Sequence, residues 1–205
     1  MKRKFAAGVL ILTACVVLVF VLISMNKGEN KDGVKEYAEG RKDSTEQLPE
    51  SDRGAQAENY VCVIEGEYIS EEYFKMRYNA YKNSPLGYED LEAEVMDALK
   101  REMTYKKFAE ENGLTPTEEE IKAYSEETRK SIEELEEGKA LIENYASGLG
   151  MTADEYWEYN EKYEAPLAVT WIKVDEYIEA NGLQPLEYTG AEVEILEEGY
   201  FEKLK

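Results

Sequence analysis

The chain contains no histidine. That absence removes the commonest general base at neutral pH, the Ser–His and Cys–His nucleophilic pairs, and the usual zinc ligand. Cysteine is scarce as well. Cys15 lies in an apolar N-terminal run and Cys62 in an expected strand, so no internal disulfide joins them. Cys62 reads as a small buried hydrophobe rather than a reactive thiol. Positive charge is also short: 24 Lys and Arg stand against 45 Asp and Glu, a formal net charge of -21. So acidic a surface repels phosphate backbones, which argues against nucleic-acid binding, and it favours solubility. P-loop and dinucleotide glycine patterns are missing. The acidic runs Glu118-Glu119-Glu120, Glu133-Glu134 and Glu136-Glu137 lack EF-hand spacing and read as solvated helix faces. No metal or cofactor is therefore expected, and surplus glutamate makes any glycosidase-like carboxylate pairing uninformative.

What the chain does have begins at the N-terminus. Phe5 to Met25 is a run of 21 residues without a charge, long enough to cross a hydrocarbon core of ~30 Å. Lys2, Arg3 and Lys4 precede it and should remain cytoplasmic, which places the rest of the chain outside. Residues 1–26 are thus expected to be a single-pass signal anchor in the cell membrane. Two alternatives stand beside it. One is a cleaved secretory signal, although the run is longer than the usual apolar core and ends in Ser24-Met25-Asn26. The other is a lipoprotein signal, because Leu12-Thr13-Ala14-Cys15 is similar to a bacterial lipobox, with Cys15 as the lipidated residue. All three export the remainder of the chain.

Residues 27–57 are rich in Lys, Glu, Asp, Gly and Ser and show neither helical nor strand periodicity. They read as a disordered acidic and polar linker with an r.m.s. span on the order of 30 Å. Order is expected from residue 58. Tyr60 to Ile64 is a β-prone run, Glu65-Gly66-Glu67 a turn, and Tyr68-Ile69 its return. Ser70 caps a helix running to about Asn83, with Arg77 partly solvated on one face. A second helix is expected from about Tyr88 to Asn112, because Leu91, Val95, Leu99 and Met103 recur every four residues and Gly113 follows as a left-handed stop.

Thr117 with Glu120 forms a capping box for a third helix carrying Ile121, Tyr124, Ile132 and Leu135, which Gly138 breaks. A shorter helix around Leu141 and Tyr145 ends at Gly148 or Gly150. Thr152 with Glu155 repeats the capping box. The stripe after it passes through Pro166 in phase, which predicts a kink or two abutting helices before Gly182. The tail, residues 183–205, holds one strand candidate over Glu192 to Leu196.

Three local patterns occur in order. Val63-Ile64-Glu65-Gly66-Glu67-Tyr68-Ile69-Ser70-Glu71-Glu72-Tyr73 resembles the opening of the SurA N-terminal-domain family, a small hairpin followed by a capped helix. Glu65 stands where that family usually has Asn. The run from Phe108 to Ile121 resembles the family's junction after its long central helix, and Gly150 to Tyr156 a later helix start. The resemblance covers about residues 60–180. It implies a mainly α, multi-helix SurA-N-like domain over 58–182, with a short N-terminal β-hairpin.

It also implies an extracytoplasmic chaperone of the SurA, PrsA and trigger-factor type, which binds unfolded or extended segments of exported proteins. Relatives often carry a parvulin prolyl isomerase domain. Here no segment of that size follows Gly182, and the histidines typical of parvulin sites are missing, so a non-catalytic module is expected. Tyr73, Met76, Tyr156, Trp157, Tyr163 and Trp171 are the candidate peptide-binding residues, since varied clients need adaptable methionine and rigid aromatic contacts. Aromatics at helical spacing also serve as ordinary core. An adaptor docking one envelope partner and a foldase related to peptidyl-prolyl isomerases are the alternatives.

Overall fold

Strand β1 (Tyr60–Ile64) is the central strand of a small sheet. The computed structural model describes residues 35, 38, 39, 60–82 and 88–204. The expected anchor, Cys15 and most of the expected linker lie outside the described residues. Among the described residues, no helix is long and apolar enough to cross a membrane.

β1 turns at Glu65-Gly66 into β2 (Glu67–Ser70), antiparallel to it, with Cys62 opposite Ile69 and Val63 opposite Tyr68. Both turn residues have positive φ, 53° at Glu65 and 87° at Gly66. Such a turn matches the twist of a hairpin but strains any residue with a Cβ at its first position. Glu65 is held there by three bonds. Its carboxylate accepts from Lys107 Nζ at 2.7 Å and from the Glu192 amide at 3.0 Å, and its own amide donates to the Glu192 carbonyl at 3.0 Å. The glutamate thus exchanges an easy backbone for links to two distant segments.

Ser70 Oγ accepts the Tyr73 amide and starts helix α1 (Glu71–Lys82). Asp90 caps α2 (Leu91–Glu111), three residues later than the hydrophobic pattern suggests. Val95, Leu99 and Met103 are buried along α2 as the four-residue stripe requires. Gly113 ends it at φ 66°, with the Leu114 amide returning to the Ala109 carbonyl. The capping box of Thr117 and Glu120 opens α3 (Glu118–Glu133).

Gly138 does not break that helix. It lies in the first turn of α4 (Glu136–Gly148), and the break falls at Glu134-Leu135. A Cβ on Gly138 would sit 2.2 Å from the Ile132 carbonyl oxygen, so this glycine permits the tight corner rather than ending a helix. Leu135, expected on the apolar face of α3, instead stands exposed at the corner.

The second capping box, Thr152 with Glu155, opens α5 (Ala153–Tyr159). A π turn (Asn160–Glu164) then joins it directly to α6 (Ala165–Asn181). Pro166 sits in the first turn of α6, and the Ala165 amide reaches back five residues to the Asn160 carbonyl. One wide turn absorbs the proline's misfit and shifts the faces of α5 and α6 relative to each other, so the stripe does not keep a single helical phase. Gly182 closes α6 at φ 62°.

The residues after Gly182 do not stand apart. β3 (Val193–Ile195) pairs antiparallel with the other edge of β1, giving a three-stranded sheet in the order β2-β1-β3. Helix α7 (Tyr200–Leu204) follows and lays Tyr200 and Phe201 edge-on against Phe74 of α1. Three apolar clusters result. The first joins the sheet, α1, the N-terminal half of α2 and α7 around Phe74, Ile64 and Leu99. The second gathers α4 and α5 around Ile142, Tyr145 and Trp157. The third holds the end of α2 to α6 through Ala109, Val174 and Ile178. The fold is mainly helical with one small sheet.

Because Tyr200 is only 3 % exposed in the first cluster, Tyr200→Ala should lower stability by about 3–5 kcal/mol, as for other large aromatic deletions. Urea unfolding followed by circular dichroism checks this. A loss within ~0.5 kcal/mol would mean that the tail adds nothing to the core.

Candidate functional site

Two groups of polar side chains and one apolar cluster stand out, and the candidate peptide-binding residues fall among them. In the first group Tyr73, one turn into α1, donates its hydroxyl to Glu102 Oε2 of α2 at 2.6 Å. Arg77, one turn further, reaches Glu102 Oε1 at 2.7 Å and lies over the Tyr73 ring. Glu102 is 4 % exposed. Burial, outweighing the Arg77 charge, pushes the Tyr73 phenol well above its ordinary range. Arg77 is therefore an ion-pair partner rather than a solvated side chain. Met76 is buried on the same helix.

This triad clamps α1 to α2, and its chemistry is structural. A buried pair costs most when one partner is lost, because the other charge stays behind in a dry site. Glu102→Gln should therefore cost about 3–5 kcal/mol, whereas Arg77→Met with Glu102→Leu should cost much less. Equal losses in urea melts of the two chains would contradict that reading.

The second group links α2 to α6. The Arg101 guanidinium lies 4.4 Å from the centre of the Trp171 ring, and Tyr105 meets the same ring edge-on. Tyr105 donates to Asp175 at 3.0 Å, and burial together with that carboxylate pushes its phenol up to about 12. Trp171 is half-buried in this helix–helix contact.

The third feature is the second apolar cluster, between α4 and α5. It gathers Ile142, Tyr145, Ala146 and Leu149 from α4 and its cap, and Tyr156 and Trp157 from α5. Trp157 is fixed by donating Nε1 to Glu133 at 3.0 Å, and Arg129 ties Glu133 to Asp154 at the start of α5. Behind it the buried Asn160 donates to Glu164 at 3.0 Å and accepts from Ser125 at 3.4 Å, which anchors the π turn. A ladder of rings runs from Tyr145 through Tyr156 and Tyr159 to Tyr163, with neighbouring centroids between 5.3 and 6.3 Å apart.

One member of the cluster comes from a part of the chain distant in sequence. Lys35, Ala38 and Glu39 have helical backbone, and Ala38, fully buried, packs into the second cluster. It lies over Gly148, where an added Cβ would come within 2.4 Å of the Ala38 Cβ and 2.5 Å of the Lys35 carbonyl oxygen. Only glycine allows the two backbones so close. Gly148 is thus the packing glycine of α4. Gly150, at φ 78°, is the stop, with the Met151 amide returning to the Ala146 carbonyl.

The fold therefore brings Tyr156, Trp157 and Tyr163 to one lobe and leaves Tyr73, Met76 and Trp171 in other contacts. Tyr156 and Trp157 are each only 4 % exposed, so they are core residues of that cluster. Sequence reasoning missed Ala38, Ile142, Ala146 and Gly148. The two glycines spaced around Leu149 were the available signal, since one stop needs only one of them. Among the described residues, no cluster of His, Cys, Asp and Glu is placed to hold a metal ion. Comparison with known proteins found no matching family model, no matching curated protein and no matching solved structure.

Cys62 is fully buried in the sheet, and burial pushes its thiol up to about 11. The folded chain holds this proton more tightly than the unfolded chain does. Its contribution to stability is therefore complete below the unfolded value of 9.0 and is lost as pH rises through about 11. In a Cys15→Ser chain, Cys62 should react with a thiol reagent at pH 8 on the order of 100-fold more slowly when native than in denaturant. Comparable rates would place the thiol at the surface.

Proposed function

We propose that the chain is a non-catalytic, membrane-tethered chaperone-like module that works outside the cytoplasm and binds unfolded or extended segments of exported proteins. The observation that carries this reading is the apolar cluster of α4 and α5, which buries Ala38 from a part of the chain distant in sequence. The residue patterns shared with the SurA N-terminal-domain family support it, as does the charged run followed by 21 uncharged residues at the N-terminus. Client apolar side chains bury against this α4–α5 surface. The acidic exterior keeps the complex soluble and favours basic clients. Binding is weak and reversible, in keeping with a sequence that carries no nucleotide-binding glycine pattern.

The full chain, purified in detergent micelles, should delay aggregation of a denatured, reduced basic protein when present at equal concentration. Light scattering follows the delay, which should shrink as salt is raised from low to ~0.15 M, where exposed charges are screened beyond ~8 Å. Failure to delay aggregation of any unfolded protein, basic or acidic, would remove this reading.

A further inference from the structure

The sheet is left unfinished along β3. The pairing register sets Val193 opposite Ile64 and Ile195 opposite Cys62, and directly opposed residues send their side chains to the same face of a sheet. Ile64 and Cys62 are fully buried on that face, yet Val193 and Ile195 stay 36 % and 49 % exposed. The cover over β1 thus stops short of β3. Next to Ile195 lies a cavity of about 180 Å³, with Cys62, Phe74, Met96 and Phe201 also in its lining. An apolar side chain laid beside Ile195 would have this cavity to enter.

The backbone edge is open too. The Leu196 amide donates to the Val61 carbonyl, and the Glu192 carbonyl accepts from the Glu65 amide. Bonding alternates along an antiparallel pair, so Glu192, Glu194 and Leu196 turn their backbone groups to β1, and Val193 and Ile195 turn theirs outward. Among the described residues, no strand lies beyond β3 in the order β2-β1-β3. Two amides and two carbonyls are therefore offered to a fourth strand. The surrounding charge selects what takes them. Glu192, Glu194, Glu197 and Glu198 lie in or beside β3, and Glu92 and Glu202 join Glu197 in the cavity lining. Lys203 pairs with Glu197, which leaves the excess negative. A second copy of β3 would set these carboxylates against their own kind, and like charges on adjacent strands are destabilising.

We propose that the outer edge of β3 docks an extended polypeptide segment in which apolar residues alternate with Lys or Arg. The segment adds as a fourth strand and bonds the outward backbone groups of Val193 and Ile195. Its apolar side chains complete the core face beside Ile195 and the cavity. Its basic side chains fall on the other face, the one that carries Glu194 opposite Val63. A strand of three residues offers few bonds, so docking is weak and is screened by salt. The site is separate from the α4–α5 cluster and does not rest on the chaperone reading, because an exported client and a single dedicated partner can each present such a segment.

Fluorescence anisotropy of labelled peptides, with the full chain in micelles of an uncharged detergent, tests this. The probes are a short peptide of alternating Lys and Val, its counterpart with Glu in place of Lys, and the Lys peptide with every amide N-methylated. The unaltered chain should bind the Lys peptide about tenfold more tightly than either of the others. Val193→Pro removes an outward amide and no bond to β1, so it should weaken Lys-peptide binding about tenfold and leave the circular dichroism spectrum unchanged. Undiminished binding by a folded Val193→Pro chain, or equal binding of the Lys peptide and its N-methylated form, would place the peptide elsewhere on the acidic surface and overturn the proposal. No binding by the unaltered chain overturns it as well. Where Val193→Pro fails to fold, the N-methylated peptide decides the matter with the unaltered chain. If sedimentation shows the unaltered chain dimeric and Val193→Pro monomeric, a second copy holds the edge and the proposal falls.

Discussion

Hydrogen bonding along both edges of β1 is the constraint on which the rest of the structure depends. Its side chains Val61, Cys62 and Ile64 are buried, so neither edge is free to seek water, and each backbone group needs a partner. One edge is satisfied at once by the local hairpin to β2. The other waits for β3, which belongs to the far end of the chain. Pairing with β3 carries α7 onto the sheet and drops Tyr200 beside Phe74. The strained φ of Glu65 follows from the same need, because its carboxylate and amide are what fasten the turn to Glu192. A shorter residue more comfortable in that turn, such as asparagine, would lack the reach to Lys107.

The other end of the molecule is governed by a misfit. Pro166 has no amide to give, and the helix that carries it must also present Trp171 and Val174 to α2 while α5, joined to it without a loop, presents Tyr156 and Trp157 to α4. Inserting one wide turn at Asn160 meets both demands, since it shifts the faces of α5 and α6 relative to each other. The buried Asn160 and its bonds to Glu164 and Ser125 hold that turn in place. The packing of α5 on α4 therefore depends on a polar cluster behind it.

Much of the architecture is legible in the sequence because its signals are local. Thr117 with Glu120 and Thr152 with Glu155 close capping boxes, Gly113 and Gly182 sit where left-handed stops belong, and the α2 stripe is buried at Val95, Leu99 and Met103. Failures come where a residue's role is set by something distant. Gly138 and Gly148 look like helix breakers, yet each serves a close approach that only the folded chain defines. Ala38 lies in a stretch with no periodicity, so nothing near it in sequence marks it for burial. Tyr156 and Trp157 stand out as apolar helical residues, but periodicity does not distinguish a buried core position from an exposed binding one.

The chain's acidity, its uncharged N-terminal run and the α4–α5 cluster that buries Ala38 accord with the proposed tethered helical module that holds exported chains transiently. The competing account is a module with one dedicated partner on the same fold. Breadth of contact separates them. The most direct measurement places a photo-crosslinking amino acid at Leu141, on the partly covered flank of the α4–α5 cluster, and for comparison at the exposed corner residue Leu135, in the full chain within its own cell envelope. The account predicts that Leu141 captures many unrelated exported chains through short segments, while Leu135 captures few. One stoichiometric partner at Leu141, or the same yield at both positions, would contradict it.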